Sequence, residues 1–272
     1  MKLPKNYFQI WLKERKTTTL KNMGICSVTF RKTSVEEIIE LVKDSPLYAI
    51  EWGGDQHVPP FDLENAKKVG KQTREAGLEV SSYGSYYYAG LGESFDPYLK
   101  TAQALETDAI RIWAKKMDFK KEIGKIDEVE FQKVVADIKQ AAQSAAAYGI
   151  SIHLEFHQGT YTDTTESAKR LMEEVNQPNV YLYWQPLAYL SIEERLLQIE
   201  ELGSYISNVH VFHWDKDFNR FPLEEGKEEW LGYIKHIQDY SSNPHYFLLE
   251  FMKDNSVEQF EKDSIIFESL FK

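Results

Sequence analysis

Short apolar runs rich in β-branched and aromatic residues recur along the chain, and between them apolar positions return every three or four residues. The short runs are GICSVTF (24–30), YAIEWGG (48–54), LEVSSYGSY (78–86), AIRIWAK (109–115), ISIHLEFH (150–157), VYLYWQP (180–186), NVHVFHW (208–214) and YFLLEFM (246–252). Their length and composition predict strands. The stretches between them predict helices. SVEEIIELVKDS opens with a serine cap, DLENAKKVGKQTREAGL with an aspartate, and TTESAKRLMEEVN with a threonine and a glutamate soon after. Gly77, Gly149 and Gly203 follow helical patterns where C-terminal glycine caps belong. Eight strand–helix units argue for parallel strands with crossover helices, and the count matches a single α/β (β/α)8 barrel better than an open doubly wound sheet. No G-x-G-x-x-G follows the first strand, which weakens the dinucleotide-binding alternative. The expected organisation is one barrel domain, residues 23–272, preceded by a short extension, residues 1–22, read as an amphipathic helix.

Composition narrows the partners. A net charge of −11 opposes a phosphate backbone, so nucleic acid is not expected. No apolar run approaches the roughly 20 residues that span a bilayer, so no membrane partner is expected. Cys26 is the only cysteine, which excludes an internal disulfide and fits a reducing, cytoplasmic setting. The first twenty residues are basic and mixed with aromatics. They lack a continuous apolar segment and a small-residue cleavage site, so they do not read as a signal peptide. That extension could contribute a subunit contact in a homo-oligomer.

In such barrels chemistry lies at the C-terminal ends of the strands. In HLEFHQGTYTDT (153–164), strand alternation puts His153, Glu155 and His157 on one face. Glu51 closes the second run, Arg111 and Trp113 the fourth, Tyr183 and Gln185 the sixth, His210 and His213 the seventh, and Glu250 the eighth. Two carboxylates, a histidine and an amide at one rim would be expensive to bury without a cation or a dense hydrogen-bond network. His57, in the GGDQHVPP loop, is read as a substrate contact. Trp113 and Trp184, with Trp52 and Trp214, are read as flat walls for a sugar ring. His153, one step deeper, is expected to be a hydrogen-bonded core histidine. Glu51 either orients a neighbour or binds substrate.

The stretches IEWGGDQHVPP, HLEFHQGTYTDT, NVHVFHWDKDFNRFPLEEGKEEW and FLLEF resemble the xylose-isomerase-like TIM barrels. That superfamily includes sugar-phosphate isomerases and epimerases, ketose 3-epimerases, inosose and dehydroshikimate dehydratases, and endonuclease IV. The resemblance runs from Met23 onward. It implies a divalent metal held by Glu on strand five, Asp on strand six, His on strand seven and Glu on strand eight. Glu155, His210 and Glu250 match three positions. Gln185 stands where the family usually has Asp, so weaker binding or an altered preference is expected rather than loss of metal. Oxygen ligands with one imidazole suit Mn²⁺ or Mg²⁺, with Co²⁺ or Zn²⁺ also able to fit.

The same resemblance implies isomerase or epimerase chemistry on a sugar or related polyol, by proton transfer through an enediolate. Glu155 and Glu250 would act as acid and base, with His157 toward the substrate. Arg220, in DFNRFPL, resembles the loop arginine that relatives place on a substrate hydroxyl or carboxylate. A dehydratase on the same site is the enzymatic alternative, and a sugar-binding barrel without turnover the alternative from another class. A nuclease of the endonuclease IV type is disfavoured, because the Asp-x-x-His expected on strand six is absent.

Overall fold

The eight apolar runs form eight parallel strands that close into a barrel in chain order in the computed structural model, which describes residues 22–120, 122–243 and 245–272. The strands are β1 (Met23–Cys26), β2 (Ala49–Gly53), β3 (Glu79–Tyr88), β4 (Ala109–Trp113), β5 (Ser151–Glu155), β6 (Val180–Trp184), β7 (Ile206–Val211) and β8 (Phe247–Leu249). Each is followed by a helix: α1 (Val35–Lys43), α2 (Leu63–Glu75), α3 (Asp96–Leu105), α4 (Glu128–Ala146), α5 (Thr165–Val175), α6 (Ile192–Leu202), α7 (Lys227–Tyr240) and α8 (Val257–Ser269). β1 pairs with both β2 and β8, so the sheet has no open edge. Residues 1–21 of the expected N-terminal extension lie outside the described residues. Among the described residues, no helix is long and apolar enough to cross a membrane.

Local sequence explains the boundaries. Ser34 caps α1 in a reciprocal box with Glu37, and Asp62 caps α2 through Asn65 N–H. Thr164 caps α5, but its reciprocal partner is Ser167 rather than the neighbouring glutamate, because Ser167 holds the third helical position. Gly77 and Gly149 take the left-handed conformation expected at helix ends, with φ +79° and +70°. Gly203 does not: its φ is −51°. A Cβ there would lie 2.5 Å from the Tyr240 carbonyl oxygen, so close approach of α7, not a left-handed turn, calls for glycine. The first strand is also shorter than its apolar run suggests. It ends at Cys26, and Ser27–Phe30 turns into a buried 3-10 segment in which Ser27 Oγ accepts Gly53 N–H at 2.8 Å.

Two apolar clusters result from the alternation along the strands. The large one, which includes Trp52, Ile110, Leu154, Trp184 and Val209, packs the barrel against its helices. The small one, Cys26, Val28, Tyr183 and Leu248, fills the inside of the barrel. Level with it, where Cys26 pairs with Glu51 and Tyr183 with Glu155, the interior turns polar and charged.

Candidate active site and metal centre

Arg111, Glu51 and Glu155 come from β4, β2 and β5 and meet inside the barrel, all buried. Arg111 Nε donates to Glu51 Oε1 at 2.9 Å, and Nη1 of the same guanidinium donates to Glu155 Oε2. Ser82 Oγ, on β3, donates to the other Glu51 oxygen at 2.8 Å. A Cβ at Gly84 would stand 2.6 Å from Glu51 Oε1 and 2.8 Å from Arg111 Nη2, so this strand glycine makes room for the pair. Burial pushes the Glu51 carboxyl up, but Arg111, His210 and Tyr183 outweigh it and hold the group well below the usual carboxylate range. Burial likewise opposes the Arg111 charge, and Glu155 and Glu51 more than restore it.

Beside this pair a second arrangement centres on His210 of β7, which is fully buried. Its Nδ1 lies 3.1 Å from Gln185 Oε1, 3.4 Å from Glu250 Oε2 and 3.9 Å from Glu155 Oε1. Gln185 Nε2 donates to the Phe156 carbonyl at 2.7 Å, and that bond turns the amide oxygen toward the histidine. Lone-pair atoms from the ends of β5, β6, β7 and β8 therefore converge. One donor atom each from Glu155, His210 and Glu250 fits within a 4.8 Å span. Such acceptors repel one another unless a cation or a proton lies among them.

These residues fit a divalent metal. Three buried carboxylates, Glu51, Glu155 and Glu250, face one guanidinium, leaving two negative charges for a divalent cation to neutralise. Three oxygens and one imidazole nitrogen are a suitable donor set. The same crowding shows in the protons. Burial first, then Glu155 and Glu51, push the Glu250 carboxyl up to about 7 against His210 and Arg111. Burial would lower the His210 pKa, yet Glu250, Glu51 and Glu155 carry it above the ordinary histidine value.

Toward the mouth the wall is aromatic. Trp113 meets the His157 ring edge-on, with centroids 4.8 Å apart, and Tyr86 and Tyr88 flank it at 6.5 and 6.1 Å. The Arg111 guanidinium lies 5.7 Å from the Trp113 ring, so this wall leads down to the charged floor. His157 Nδ1 is 2.8 Å from the Gln158 carbonyl, which places a proton there and leaves the lone pair on Nε2. Arg220 stacks over Trp214 and Phe251 at 5.3 and 4.7 Å and donates to Asn255 Oδ1 at 3.0 Å. Among the described residues it has no carboxylate within ion-pair distance. Burial lowers its pKa, and the charge of Glu250 partly offsets that.

Two expected substrate contacts lie elsewhere. Trp184 points out of the barrel, as it must when Tyr183 and Gln185 point in: Nε1 donates to Gln198 Oε1 at 3.0 Å and the ring packs on Trp230 and Tyr233. His57 is buried with both ring nitrogens engaged, Nδ1 with Ser27 Oγ at 3.0 Å and Nε2 with the Thr33 carbonyl at 3.1 Å. Trp52 also faces the helices, donating to Thr73 Oγ1. His153 sits one layer below the site between Ser151 and Ser207 hydroxyls, and burial lowers its pKa to about 4.

The sequence reading left Arg111 and Ser82 without roles and did not choose between two for Glu51. A signal was present for Arg111. An arginine between Ile110 and Ile112 in a strand buried on both faces needs a counter-charge inside the barrel. Which carboxylates supply it depends on register across three strands.

Comparisons with known proteins agree with this fold. The family profile described as xylose isomerase-like TIM barrel matches residues 39–266. A 3-dehydroshikimate dehydratase from Bacillus anthracis is 22% identical over 263 residues, covering 86% of this chain and 91% of the relative. The structure of D-psicose 3-epimerase with D-tagatose from Clostridium cellulolyticum H10 superposes with a TM-score of 0.72 at 14% identity, covering 92% of this chain and 98% of that one. The IolI protein with a binding zinc atom gives 0.67 at 16% identity, covering 92% and 96%.

Proposed function

Because the chain belongs to the xylose isomerase-like TIM barrel family, we propose that it is a metal-dependent isomerase or epimerase of a sugar or related polyol. The observation that carries this reading is the convergence of Glu155, Gln185, His210 and Glu250 around His210 Nδ1. Those four residues would hold the metal, with Mn²⁺ or Mg²⁺ best suited to the oxygen-rich set and Zn²⁺ or Co²⁺ also accommodated. When bound, a divalent cation supplies Lewis-acid stabilisation of negative charge developing on substrate oxygens.

The chain's own groups supply the rest. Glu250, whose Oε2 stands 3.4 Å from His210 Nδ1, would accept and return the carbon-bound proton. Glu155 keeps one oxygen on Arg111 and turns the other toward the donor cluster, as the second acid/base. His157 offers its Nε2 lone pair beside Trp113, where it would accept a hydrogen bond from a substrate hydroxyl and so position it. Trp113 gives a flat wall for the substrate's carbon face. Arg220 presents planar donors suited to a hydroxyl or carboxylate.

The test is exchange of substrate carbon-bound protons with solvent deuterium across a panel of ketoses and ketopolyols. Metal-dependent incorporation beside the carbonyl is expected, lower by about 10²-fold or more in Glu250→Gln. Ligand binding with no incorporation for any substrate would leave a sugar-binding barrel without turnover. The 22% identity to a dehydroshikimate dehydratase favours dehydration as the second reading. On that reading proton removal is followed by loss of a β-hydroxyl, and a conjugated, ultraviolet-absorbing product accumulates.

A further inference from the structure

His210 has one nitrogen that the four-donor cluster does not use. Nδ1 faces the cluster, whereas Nε2 is buried with no hydrogen-bond partner. Glu51 Oε1 stands 3.7 Å from it. Glu51 is clamped on both oxygens, by Arg111 Nε at 2.9 Å and by Ser82 Oγ at 2.8 Å, in space that Gly84 leaves open. Arg111 reaches Glu155 with its other arm. One guanidinium thus ties the carboxylate behind His210 to a carboxylate in front of it. Cys26 completes the space around Nε2, and Cys26, Glu51 and His210 are close enough to hold an ion of their own. The Arg111 charge on Glu51 opposes a second cation there.

We propose that Glu51 is a positioning residue: its Oε1, 3.7 Å from His210 Nε2, comes within hydrogen-bond reach of the Nε2–H group when the metal binds and so presents the Nδ1 lone pair to the metal. Arg111 and Ser82 hold Glu51 to that task. This inference rests on the metal-site reading above. A neutral imidazole carries one N–H, and a nitrogen that ligates a cation gives its lone pair. With Nδ1 as ligand, the proton must sit on Nε2, in a space closed to solvent, and Glu51 is the carboxylate placed to accept it. The opposite tautomer would aim the Nε2 lone pair at a carboxylate oxygen, which is repulsive. Carboxylate acceptors behind ligating histidines fix ring orientation and raise ligand basicity.

The experiment compares wild type with Glu51→Gln and the milder Ser82→Ala, using Zn²⁺ as the probe. Zn²⁺ affinity is measured by competition with a chelating dye, and the imidazole protons of ¹⁵N-histidine-labelled, Zn²⁺-loaded protein by NMR. The protein has seven histidines, and His210→Asn assigns the relevant signal. Wild type should bind Zn²⁺ through Nδ1 and show a low-field Nε2 proton. Glu51→Gln should weaken Zn²⁺ about 10- to 100-fold and move that proton upfield, leaving the other six histidines in place. Ser82→Ala should change both in the same direction by less, and serves alone if Glu51→Gln fails to fold. A purely structural role for Glu51 would lower the melting temperature without moving the His210 proton. Unchanged affinity and an unchanged proton signal in both variants, or Zn²⁺ bound through Nε2, overturns the positioning role and leaves the metal site standing. Wild-type protein that binds no Zn²⁺ overturns both.

Discussion

Two buried histidines inside one barrel behave in opposite ways. His153, near the N-terminal end, has a serine hydroxyl on each ring nitrogen, and burial drives its pKa down to about 4. His210, near the C-terminal end, is surrounded by Glu51, Glu155, Glu250 and Gln185, and its pKa moves up. Both are buried, so burial alone does not separate them. What differs is the company. Hydroxyls can donate or accept and settle around a neutral ring. Carboxylates only accept, and their convergence leaves a charge deficit that something else must fill. The lower layer is complete as a structural network; the upper layer brings together groups that could hold a cation.

The largest effect that would sharpen this contrast comes from Arg111, the buried cation that holds Glu51 and Glu155 in the upper layer. Arg111→Met leaves Glu51 and Glu155 buried without their partner and should cost about 3–5 kcal/mol in urea unfolding. A loss below about 1 kcal/mol would show that the pair does not hold the carboxylates in place. Next is the acid limb of stability. The folded pKa of His153 lies below the unfolded value, so the unfolded chain takes up its proton first as pH falls. Stability is therefore full above pH ~6.5 and declines to pH ~4, by about 3 kcal/mol in all. In His153→Asn that part of the limb should disappear from urea titrations run across the same range. The smallest effect separates two tryptophans that the sequence grouped together. Trp184→Phe, on the helix-facing side, should cost about 1–2 kcal/mol of stability through the lost bond to Gln198 and leave substrate KM alone. Trp113→Ala, on the mouth wall, should raise KM several-fold, by about 0.5–1.5 kcal/mol of binding. Reversal of that pattern would place the substrate outside the barrel mouth.

The barrel was legible because short apolar runs and helix caps are local signals. The ends of β5 through β8 were legible for the same reason. Glu155, Gln185, His210 and Glu250 each interrupt one of the last four apolar runs, within a residue of the strand's C-terminal end, so one rim could be read before any strand was paired. Residues whose role depends on register were not legible. Arg111 takes meaning from Glu51 two strands away, across a glycine at position 84 that only the packed barrel explains. His57 could be placed only once the Ser27–Phe30 turn was seen beneath it. Trp184 is a different case. Alternation alone separates it from Gln185, but β6 is almost fully buried, so its composition does not say which face is the inside.

The most direct measurement is elemental analysis of bound metal in wild type and Glu250→Gln after identical purification and dialysis against metal-supplemented buffer. Close to one Mn, Co or Zn per chain in wild type, sharply reduced in the variant, is the predicted result. No metal in either protein would contradict the four-donor site and the chemistry proposed on it.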